Sequence, residues 1–390
     1  MNHLEKLITE LCPNGVKHVK LSEIAEMARG VRVVRSQLSD SGEYPVYQNS
    51  MTPLGYYEET NCPANTPFII SAGAAGEIGF CDVDFWAADD CFYFVCPESL
   101  NSKFLFYALM CQQKLLVSRV RRASVPRLAR TVVEQLRIPL PPLAVQREIV
   151  GILDKLTECT AELAAKLTVE LTARKKQYEY YRNVLLKFDE NRETFATDRQ
   201  ADWLPLGEIG RVAMCKRIMK AETSSDGDVP FYKIGTFGKT ADAFISAETY
   251  EWYRRDYSYP KRGDVLISAA GTIGRAVIFD GEPAYYQDSN IVWLEHDESK
   301  VLNKYLYYCY QLSPWHVSTS GTIARLYNAN ITKAGIPVPP LDEQERIVGI
   351  LDKLDALTTN LTQGVPVEIA ARKRQYEYYR DKLLTFKECA

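Results

Sequence analysis

The segment RKKQYEYYR at 174–182 returns at 372–380 as RKRQYEYYR, with a single lysine-to-arginine change. The string IVGILDKL at 149–156 recurs without change at 347–354, and both pairs are 198 residues apart. Self-similarity at a fixed offset indicates an architecture built from copies of one unit. We therefore expect the chain to fold as an internal repeat of two halves.

Upstream of these strings the two halves are less alike, but the order of their motifs is the same. ISAGAAGEIG at 70–79 corresponds to ISAAGTIGRA at 267–276, whereas LSEIAE at 21–26 corresponds to LGEIGR at 206–211. The offset grows from 185 to 197 between these pairs, which predicts about a dozen extra residues in the second copy, around TYEWYRRDYSYPKR. Each half is thus a variable segment followed by a nearly invariant one.

The proline-rich strings PLPPL and PVPPL mark the change from variable to invariant sequence. A length of 390 residues allows two domains that are each large enough to bury a core. The expected segments are a first variable domain at 1–140, a first helix at 141–188, a linker at 189–202, a second variable domain at 203–338 and a second helical region at 339–390.

The invariant segments have a helical pattern. Apolar residues recur at steps of three and four between 149 and 188 and again between 347 and 386, which is a heptad-like seam. A long amphipathic helix needs a partner, and we expect the two copies to pair antiparallel within one chain; a homodimeric coiled coil is the alternative. Because Gly364 and Pro366 interrupt the second copy, two consecutive helices are expected there.

The variable segments contain short β-branched and aromatic runs, such as FIIS and IVWL, separated by Gly, Pro, Asn and Asp. This pattern predicts twisted, mainly antiparallel strands, with buried helices at 104–111 and 305–312. The predicted fold class is α+β. It consists of two mixed, strand-rich domains held apart by an intramolecular antiparallel pair of long helices, with pseudo-two-fold symmetry.

Two glycine-rich strings resemble phosphate-binding loops but do not fit their patterns. GAAGEIG at 73–79 lacks the GxGxxG spacing and lies between strand-like runs, so a tight turn is favoured. GTFGKT at 235–240 fails as a P-loop because Lys233 occupies the position of the first glycine. No nucleotide site is predicted.

Composition favours a cytoplasmic binding protein without a metal site. No apolar run could span a bilayer, and MNHLEKLITELC lacks the apolar centre of a signal peptide. The ten cysteines include no CxxC pair and only four histidines are present, so buried reduced thiols are favoured over metal ligands. The GxSxG, HExxH and Asn-Pro-Pro-aromatic motifs of hydrolases, zinc proteases and DNA methyltransferases are absent, which argues against catalysis.

These features together resemble a known family. Two variable domains, each closed by a PPL string and by a helix that carries IVGILDKL and RKxQYEYYR, closely resemble the specificity (S) subunit of type I restriction-modification enzymes. The resemblance covers essentially the whole chain. It implies that each variable segment is a target recognition domain reading one half of a bipartite, non-palindromic DNA sequence.

The same resemblance implies partners and cofactors. The paired helices would act as a ruler and bind two methyltransferase (M) subunits, and motor-nuclease (R) subunits would then join the complex. The S subunit would have no catalytic residue and no cofactor of its own, since S-adenosylmethionine, ATP and magnesium are used by its partners. Two identical M subunits need two equivalent surfaces, which explains the repetition of RKxQYEYYR. The candidate subunit-binding residues are Arg174, Tyr178, Tyr181, Arg372, Tyr376 and Tyr379.

DNA binding has to be reconciled with a net charge of −3, because affinity for DNA rests on Lys and Arg that neutralise phosphates. Local clusters supply that charge: RVRRASVPRLAR at 119–130 has five arginines and no acidic residue. Base reading requires bidentate contacts, from Arg to guanine or from Asn and Gln to adenine. A solvated charged face is the alternative for any one cluster. The candidate DNA-binding residues are Arg29, Arg32, Arg35, Gln48, Asn49, Arg119, Arg121, Arg122, Arg127, Arg130, Lys216, Arg217, Lys220, Arg254, Arg255, Arg325, Asn328, Asn330 and Lys333.

Two other functions stay open on the sequence alone. A standalone enzyme would methylate or cleave DNA without a partner. A non-catalytic coiled-coil adaptor or homodimer would bind no duplex even when a methyltransferase is present.

Overall fold

The computed structural model describes residues 3–188, 201–315 and 325–389. The chain divides into two compact units: unit 1 is Met1–Thr168 with Val365–Ala390, and unit 2 is Val169–Gly364. Each unit contains one variable segment and one end of each long helix. Most of the predicted linker, residues 189–200, lies outside the described residues.

Unit 1 combines short helices with three small sheets. Its helices are α1 (His3–Leu11), α2 (Leu21–Ile24), α3 (Ser102–Cys111), α4 (Gln113–Ser118), α5 (Arg130–Glu134), the first part of α6 (Leu143–Leu185) and the last part of α11 (Leu341–Leu384). Its strands are β1 (His18–Lys20), β2 (Glu26–Arg29), β3 (Tyr44–Tyr47), β4 (Gly55–Tyr57), β5 (Thr66–Ile70), β6 (Ile78–Cys81), β7 (Trp86–Ala87), β8 (Cys91–Val95) and β9 (Arg137–Pro139).

The sheets of unit 1 are mainly antiparallel, as predicted. A four-stranded sheet has the order β2-β8-β5-β6, a three-stranded sheet has the order β4-β3-β7, and β1 pairs with β9. The pairing of β3 with β7 is parallel. GAAGEIG connects the antiparallel strands β5 and β6, and Gly73 and Gly76 there have φ values of 81° and 90°. The predicted tight turn is confirmed, since glycine adopts positive φ without steric cost.

Strand β5 explains why one variable segment can form a layered core. All five residues of TPFII are buried, and successive side chains point to opposite faces of the sheet. Ile69 packs in the large core that also contains α3 and the start of α6, whereas Phe68 and Ile70 pack in a second cluster with Phe85. A strand that is covered on both faces has a continuous run of apolar residues in its sequence, and FIIS is such a run.

Unit 2 has a corresponding set of elements. Its helices are the last part of α6, α7 (Leu206–Ile209), α8 (Ala247–Asp256), α9 (Asn303–Tyr310), α10 (Asn328–Lys333) and the first part of α11 (Leu341–Leu384). Its strands are β10 (Asp202–Pro205), β11 (Arg211–Ala213), β12 (Val229–Tyr232), β13 (Phe244–Ile245), β14 (Val265–Ser268), β15 (Ala276–Ile278), β16 (Tyr285–Tyr286), β17 (Ile291–Glu295) and β18 (Gly335–Val338).

The sheets of unit 2 repeat the topology of unit 1. Their orders are β11-β17-β14-β15, β13-β12-β16 and β10-β18, and β12 with β16 is again the parallel pair. The extra residues form α8, between β13 and β14, where unit 1 has a short connection. Tyr250 and Tyr253 of α8 are buried in an aromatic cluster with Tyr285. The predicted insertion is therefore a packed helix.

Each long helix packs its start in the core of one unit and its end in the core of the other. In unit 1, Ile149 and Leu153 from the start of α6 share a core with Leu384 from the end of α11. In unit 2, Ile347 from the start of α11 shares a core with Leu185 from the end of α6. Fully burying one such aliphatic side chain contributes about 1.5–3 kcal/mol. In each unit the start of one long helix packs with the end of the other. The predicted intramolecular antiparallel pairing is therefore confirmed.

The predicted break near Gly364 and Pro366 is wrong, because α11 runs from Leu341 to Leu384 with Pro366 inside it. Proline lacks the N–H that would bond to the carbonyl of Thr362, and this loss costs about 3 kcal/mol. The helix continues because side chains on both sides of the proline hold it: Val365 is buried, and Leu351 and Leu384 are buried in the cores of their units.

Candidate nucleic-acid interface

The loops at one edge of the sheets in unit 1 are joined by backbone hydrogen bonds. Ser71 N–H donates to Asp90 O (2.6 Å), and Leu128 N–H donates to Ser71 O (2.8 Å). Gly73 N–H donates to Pro126 O (3.1 Å), and Ala74 N–H donates to Asn49 O (2.9 Å). Gly30 N–H, at the start of the basic ARGVRVVR segment, donates to Cys91 O (3.0 Å). The loop edge of unit 1 comprises 30–35, 48–49, 71–76, 88–91 and 119–128.

The arginine-rich segment forms a small hairpin at this edge. Arg121 N–H donates to Arg127 O (2.9 Å), and Arg127 N–H donates to Arg121 O (3.1 Å). Arg122 lies in the exposed turn between them. Six arginines of the loop edge are exposed and have no side-chain partner within the described residues. They are Arg32, Arg35, Arg119, Arg121, Arg122 and Arg127.

Two predicted DNA-binding arginines of unit 1 are already bonded within the unit. Arg29 Nε donates to Asp89 O (2.7 Å), which ties β2 to the connection between β7 and β8. Arg130 makes an ion pair with Glu134 (2.7 Å) and donates to Met27 O (2.8 Å). Gln48 and Asn49 do lie at the loop edge, half-buried and exposed respectively. The structure thus separates available arginines from structural ones, which a count of charges does not.

Unit 2 has an equivalent loop edge. Ala269 N–H donates to Asn290 O (2.7 Å), and Leu326 N–H donates to Ala269 O (2.8 Å), as in the corresponding loops of unit 1. Arg325 forms an antiparallel backbone bridge with Ala270, just as Arg127 does with Ala72 in unit 1. The loop edge of unit 2 comprises 216–220, 269–274, 287–290 and 325–328. The counterpart of the arginine hairpin falls largely on 316–324, outside the described residues.

The predicted basic residues of unit 2 occupy different surroundings at this edge. Lys216 and Lys220 are exposed, and Lys216 Nζ lies 4.9 Å from the centre of the Tyr257 ring. Arg217 makes an ion pair with Asp288 (2.9 Å). Arg325 is half-buried and its Nη2 donates to Ser289 O (3.0 Å). Arg325 therefore anchors the 287–290 loop.

The remaining predicted residues of unit 2 are only partly brought together. Asn328 is exposed at the start of α10, whereas Asn330 Oδ1 accepts from Tyr327 N–H (3.2 Å). Asn330 and Lys333 lie beyond the 325–328 loop, in α10, and line a cavity of about 480 Å³ together with Trp203. They are thus not part of the loop edge.

The basic residues of helix α8 are held by their neighbours. The Arg254 guanidinium lies 5.8 Å from the Tyr250 ring and 5.6 Å from the Tyr259 ring. Arg255 pairs with Asp256 (2.8 Å), and a hydrogen bond from Arg255 holds the pKa of that carboxyl below its usual range. These contacts place Arg254 against two aromatic rings of the insertion, whereas Arg255 is 74% exposed and pairs only with its neighbour in the chain.

The RKxQYEYYR strings place their tyrosines on two sides of a helix. Tyr178 Oη donates to Gln311 (3.0 Å), and Tyr376 Oη accepts from Thr157 Oγ1 (3.2 Å). Burial raises the pKa of Tyr178 to about 12, so this hydroxyl stays protonated as a donor. Both predicted docking residues therefore pack within their own unit.

The other tyrosines of the two strings are exposed in matched positions. Tyr180 and Tyr378 are 63% and 60% exposed, and Tyr181 and Tyr379 are 41% and 43% exposed. Each adjacent pair has nearly the same ring geometry, at 5.5 Å and 73° or 5.4 Å and 70°. The matched surface also contains Arg174 and Arg372, which pair with Glu170 and Glu368 (2.7 and 2.8 Å). Tyr180 and Tyr378 were missing from the predicted residues, although helical spacing separates them from Tyr178 and Tyr376.

A buried glutamine fixes the start of each long helix to its variable domain, and it was not among the predicted residues. Gln146 Nε2 donates to Ser99 O (3.1 Å) and Pro141 O (2.8 Å), and its Oε1 accepts from Asn101 N–H (2.8 Å). Gln344 repeats the arrangement with Lys300 O, Pro339 O and Leu302 N–H. The matched glutamines of AVQRE and DEQER were the available signal.

The aspartate of each IVGILDKL string adds a second connection. Asp154 accepts from Tyr107 Oη (2.6 Å) and Lys103 Nζ (2.9 Å) of α3. Asp352 accepts from Tyr308 Oη (2.7 Å) and Lys304 Nζ (2.5 Å) of α9 in the same way. The invariant strings therefore supply the connections by which each variable domain is fixed to a helix.

Within the described residues, no cluster of three or more His, Cys, Asp or Glu side chains could hold a metal ion. No helix in that part of the chain is both long and apolar enough to cross a membrane.

The repeated domains match a family model described as the type I restriction modification DNA specificity domain, over residues 13–173 and 202–371. The chain belongs to the family of type I restriction-modification specificity subunits. It is 45% identical to a protein named as a type I restriction enzyme specificity subunit of Haemophilus influenzae, over 98% of both chains. It is 31% identical to a type I restriction enzyme specificity subunit of Escherichia coli, over 99% of this chain and 97% of that one.

Solved structures agree on the fold of specificity subunits. The HsdS subunit from Thermoanaerobacter tengcongensis gives a TM-score of 0.58 at 20% identity and covers 96% of this chain and 99% of that one. A chain from a structural study of complex assembly and conformational transition in a type I restriction-modification system gives 0.69 at 20% identity, with 95% and 98% coverage. Family membership confirms the expected non-catalytic specificity subunit and disfavours a standalone enzyme or an adaptor without DNA specificity.

The glutamine connection leads to a stability prediction. Replacing the fully buried Gln146 with Ala removes three hydrogen bonds and leaves the Pro141 carbonyl buried without this donor, so the free energy of unfolding should fall by about 2–4 kcal/mol. Denaturant unfolding of the chain measures this difference. The matched control is Gln363→Ala, which removes an exposed helix glutamine and should change stability by less than about 0.5 kcal/mol. Equal effects of the two substitutions would contradict the role given to Gln146.

Proposed function

We propose that this specificity subunit reads a bipartite, non-palindromic DNA target, with one half-site bound at the loop edge of each unit. The observation that carries the proposal is the duplicated loop edge, since both variable segments bring basic residues to the same place in the fold. Arginines that are exposed and unpaired in the part of the chain that the structure describes are able to neutralise phosphates, and this local charge outweighs a net charge of −3. The two edges differ in sequence, so the half-sites should differ.

We further propose that the long helices set the spacing of the half-sites and that the matched tyrosine surfaces bind two M subunits. Aromatic and Arg residues are enriched at protein interfaces, and each surface contains two exposed tyrosines beside an arginine. R subunits join the same complex, which acts in the cytoplasm. S-adenosylmethionine, ATP and magnesium are bound by the M and R subunits, and this chain contributes recognition and scaffolding.

The target itself is the most direct test of this function. When the chain and its M subunit are expressed in a host without other adenine methylation, sequencing of modified bases should reveal two short specified blocks separated by unspecified bases. The blocks should not be related by a palindrome, because the two loop edges carry different residues. A single continuous motif, or the absence of any methylated motif, would contradict the proposal.

The exposed arginine hairpin should supply phosphate contacts. Arg122→Ala should make the plot of log binding constant against log salt concentration shallower by about 0.9, with a similar loss of affinity on specific and unrelated duplexes. The control is Arg211→Ala, which removes the same charge from an ion pair with Glu295 (2.6 Å) at the far end of β17. An unchanged slope for Arg122→Ala would assign this hairpin to solvent.

The tyrosine surfaces should act independently, because each is complete in its own copy. Replacing Tyr180 and Tyr181 with Asp should remove one M subunit, and adding the same changes at Tyr378 and Tyr379 should remove the second. Native mass spectrometry counts the bound copies.

Tyr178→Phe is the matched control for docking, since it alters a tyrosine of the same string that faces its own unit. It should leave two copies bound. Retention of both copies by the Tyr180 and Tyr181 double variant would place the M interface elsewhere.

A further inference from the structure

The loop between β16 and β17 is a fixed part of the loop edge of unit 2. Gln287 N–H donates to Tyr232 O (2.9 Å), and Asn290 O accepts from Ala269 N–H (2.7 Å). The Arg325 guanidinium donates to Ser289 O (3.0 Å) from a third loop. Asp288 lies between these attachments, and its side chain is only 18% exposed. Its carboxylate therefore has a defined position.

Arg217 is attached to this carboxylate by one atom only. Its Nε donates to Asp288 Oδ2 (2.9 Å), whereas its side chain is 67% exposed. Nη1 and Nη2 have no partner within the described residues, so the two terminal nitrogens are available as donors. The guanidinium is held at its inner side while its outer fork is accessible.

The other basic residues of this edge have a different character. Lys216 and Lys220 are exposed ammonium groups on flexible stems, without a carboxylate partner within the described residues. Arg325 has its Nη2 bonded to the backbone. Arg217 is the one among these four that combines a fixed orientation with a free pair of donors.

A fixed guanidinium fork matches the edge of one base in particular. Guanine presents O6 and N7 as two adjacent acceptors in the major groove, and arginine donates to both at once. A carboxylate contact that fixes the arginine rotamer makes such recognition more exact, because less conformational freedom is lost on binding. Lysine cannot reproduce the fork, since its ammonium acts as a point charge.

We propose that Arg217, oriented by Asp288, reads a guanine in the half-site bound by unit 2. Asp288 is then a positioning residue that acts through Arg217. The inference rests on the proposed function and names one base of the target and the residue that reads it.

Unit 1 lacks this arrangement at the equivalent positions. Ala88 N–H donates to Tyr47 O (2.9 Å) as Gln287 N–H does to Tyr232 O, and Asp90 O accepts from Ser71 N–H as Asn290 O does from Ala269 N–H. The unit 1 loop is therefore one residue shorter, and Asp89 alone stands where unit 2 has Asp288 and Ser289. Arg32, which corresponds to Arg217 in the repeat, is exposed and has no partner among the described residues. The pair is therefore a property of one recognition domain, as a determinant of one half-site should be.

The test uses the full chain in complex with its M subunit, once the target has been mapped. Methylation rates are measured on duplexes in which each specified base pair is changed in turn. Arg217→Ala should reduce discrimination at one G·C pair of one block by roughly ten- to a hundred-fold. Discrimination at the other positions and in the other block should persist, which also shows that the variant is folded.

Conservative variants separate base reading from charge and from structure. Arg217→Lys should lose the same discrimination, because it keeps the charge but not the fork. Asp288→Asn should relax the same base pair, and Asp288→Glu should retain more of the discrimination than Asp288→Asn does. Arg211→Ala should leave every position unchanged.

The inference and the proposed function fail in different ways. A wild-type complex without sequence preference would overturn both. A sequence-specific wild-type complex would overturn the inference alone in three cases: Arg217→Ala slows methylation of every duplex equally, Arg217→Lys keeps full discrimination, or the relaxed pair contains no guanine.

Discussion

A helix of 43 residues with an apolar seam cannot remain alone in water, and this constraint shapes the whole chain. The start of α6 is buried in unit 1 beside the end of α11, and the start of α11 is buried in unit 2 beside the end of α6. Each core is therefore completed by residues from both halves of the sequence. Neither variable segment contains all the apolar residues of its own unit, so the two halves depend on each other for stability.

The same constraint explains which parts of the repeat are alike. Gln146 and Asp154 attach one variable domain to its helix, and Gln344 and Asp352 attach the other with the same partners and similar distances. Buried polar groups tolerate little change, because a lost partner leaves a desolvated donor or acceptor. The loops at the far edges of the sheets meet no such requirement. They can differ in residue type while the backbone bonds that join them are kept.

Periodicity and repetition were sufficient to predict the long helices, their antiparallel pairing and the mixed sheets. They failed at Pro366, where packing on both sides of the proline outweighs the local preference to end a helix. They also could not sort the arginines: the side chains of Arg29 and Arg130 are bonded to backbone or carboxylate groups, whereas those of Arg122 and Arg127 have no partner among the described residues. That distinction depends on contacts between residues up to about a hundred positions apart, such as Arg130 with Met27. The tyrosines illustrate a smaller error, since helical phase alone separates Tyr178 from Tyr180.

The two loop edges also differ in how their charge is arranged. Unit 1 presents six exposed arginines whose side chains have no partner in the described ranges, whereas the described part of the unit 2 edge has Lys216 and Lys220 together with an arginine fixed by Asp288. Free cations favour phosphate contacts, which raise affinity for any sequence and are sensitive to salt. A cation neutralised on one side by a carboxylate contributes less net charge, but its orientation is defined. The same fold can therefore weight affinity and base selectivity differently in its two copies, because loop residues vary while the framework that positions them is repeated.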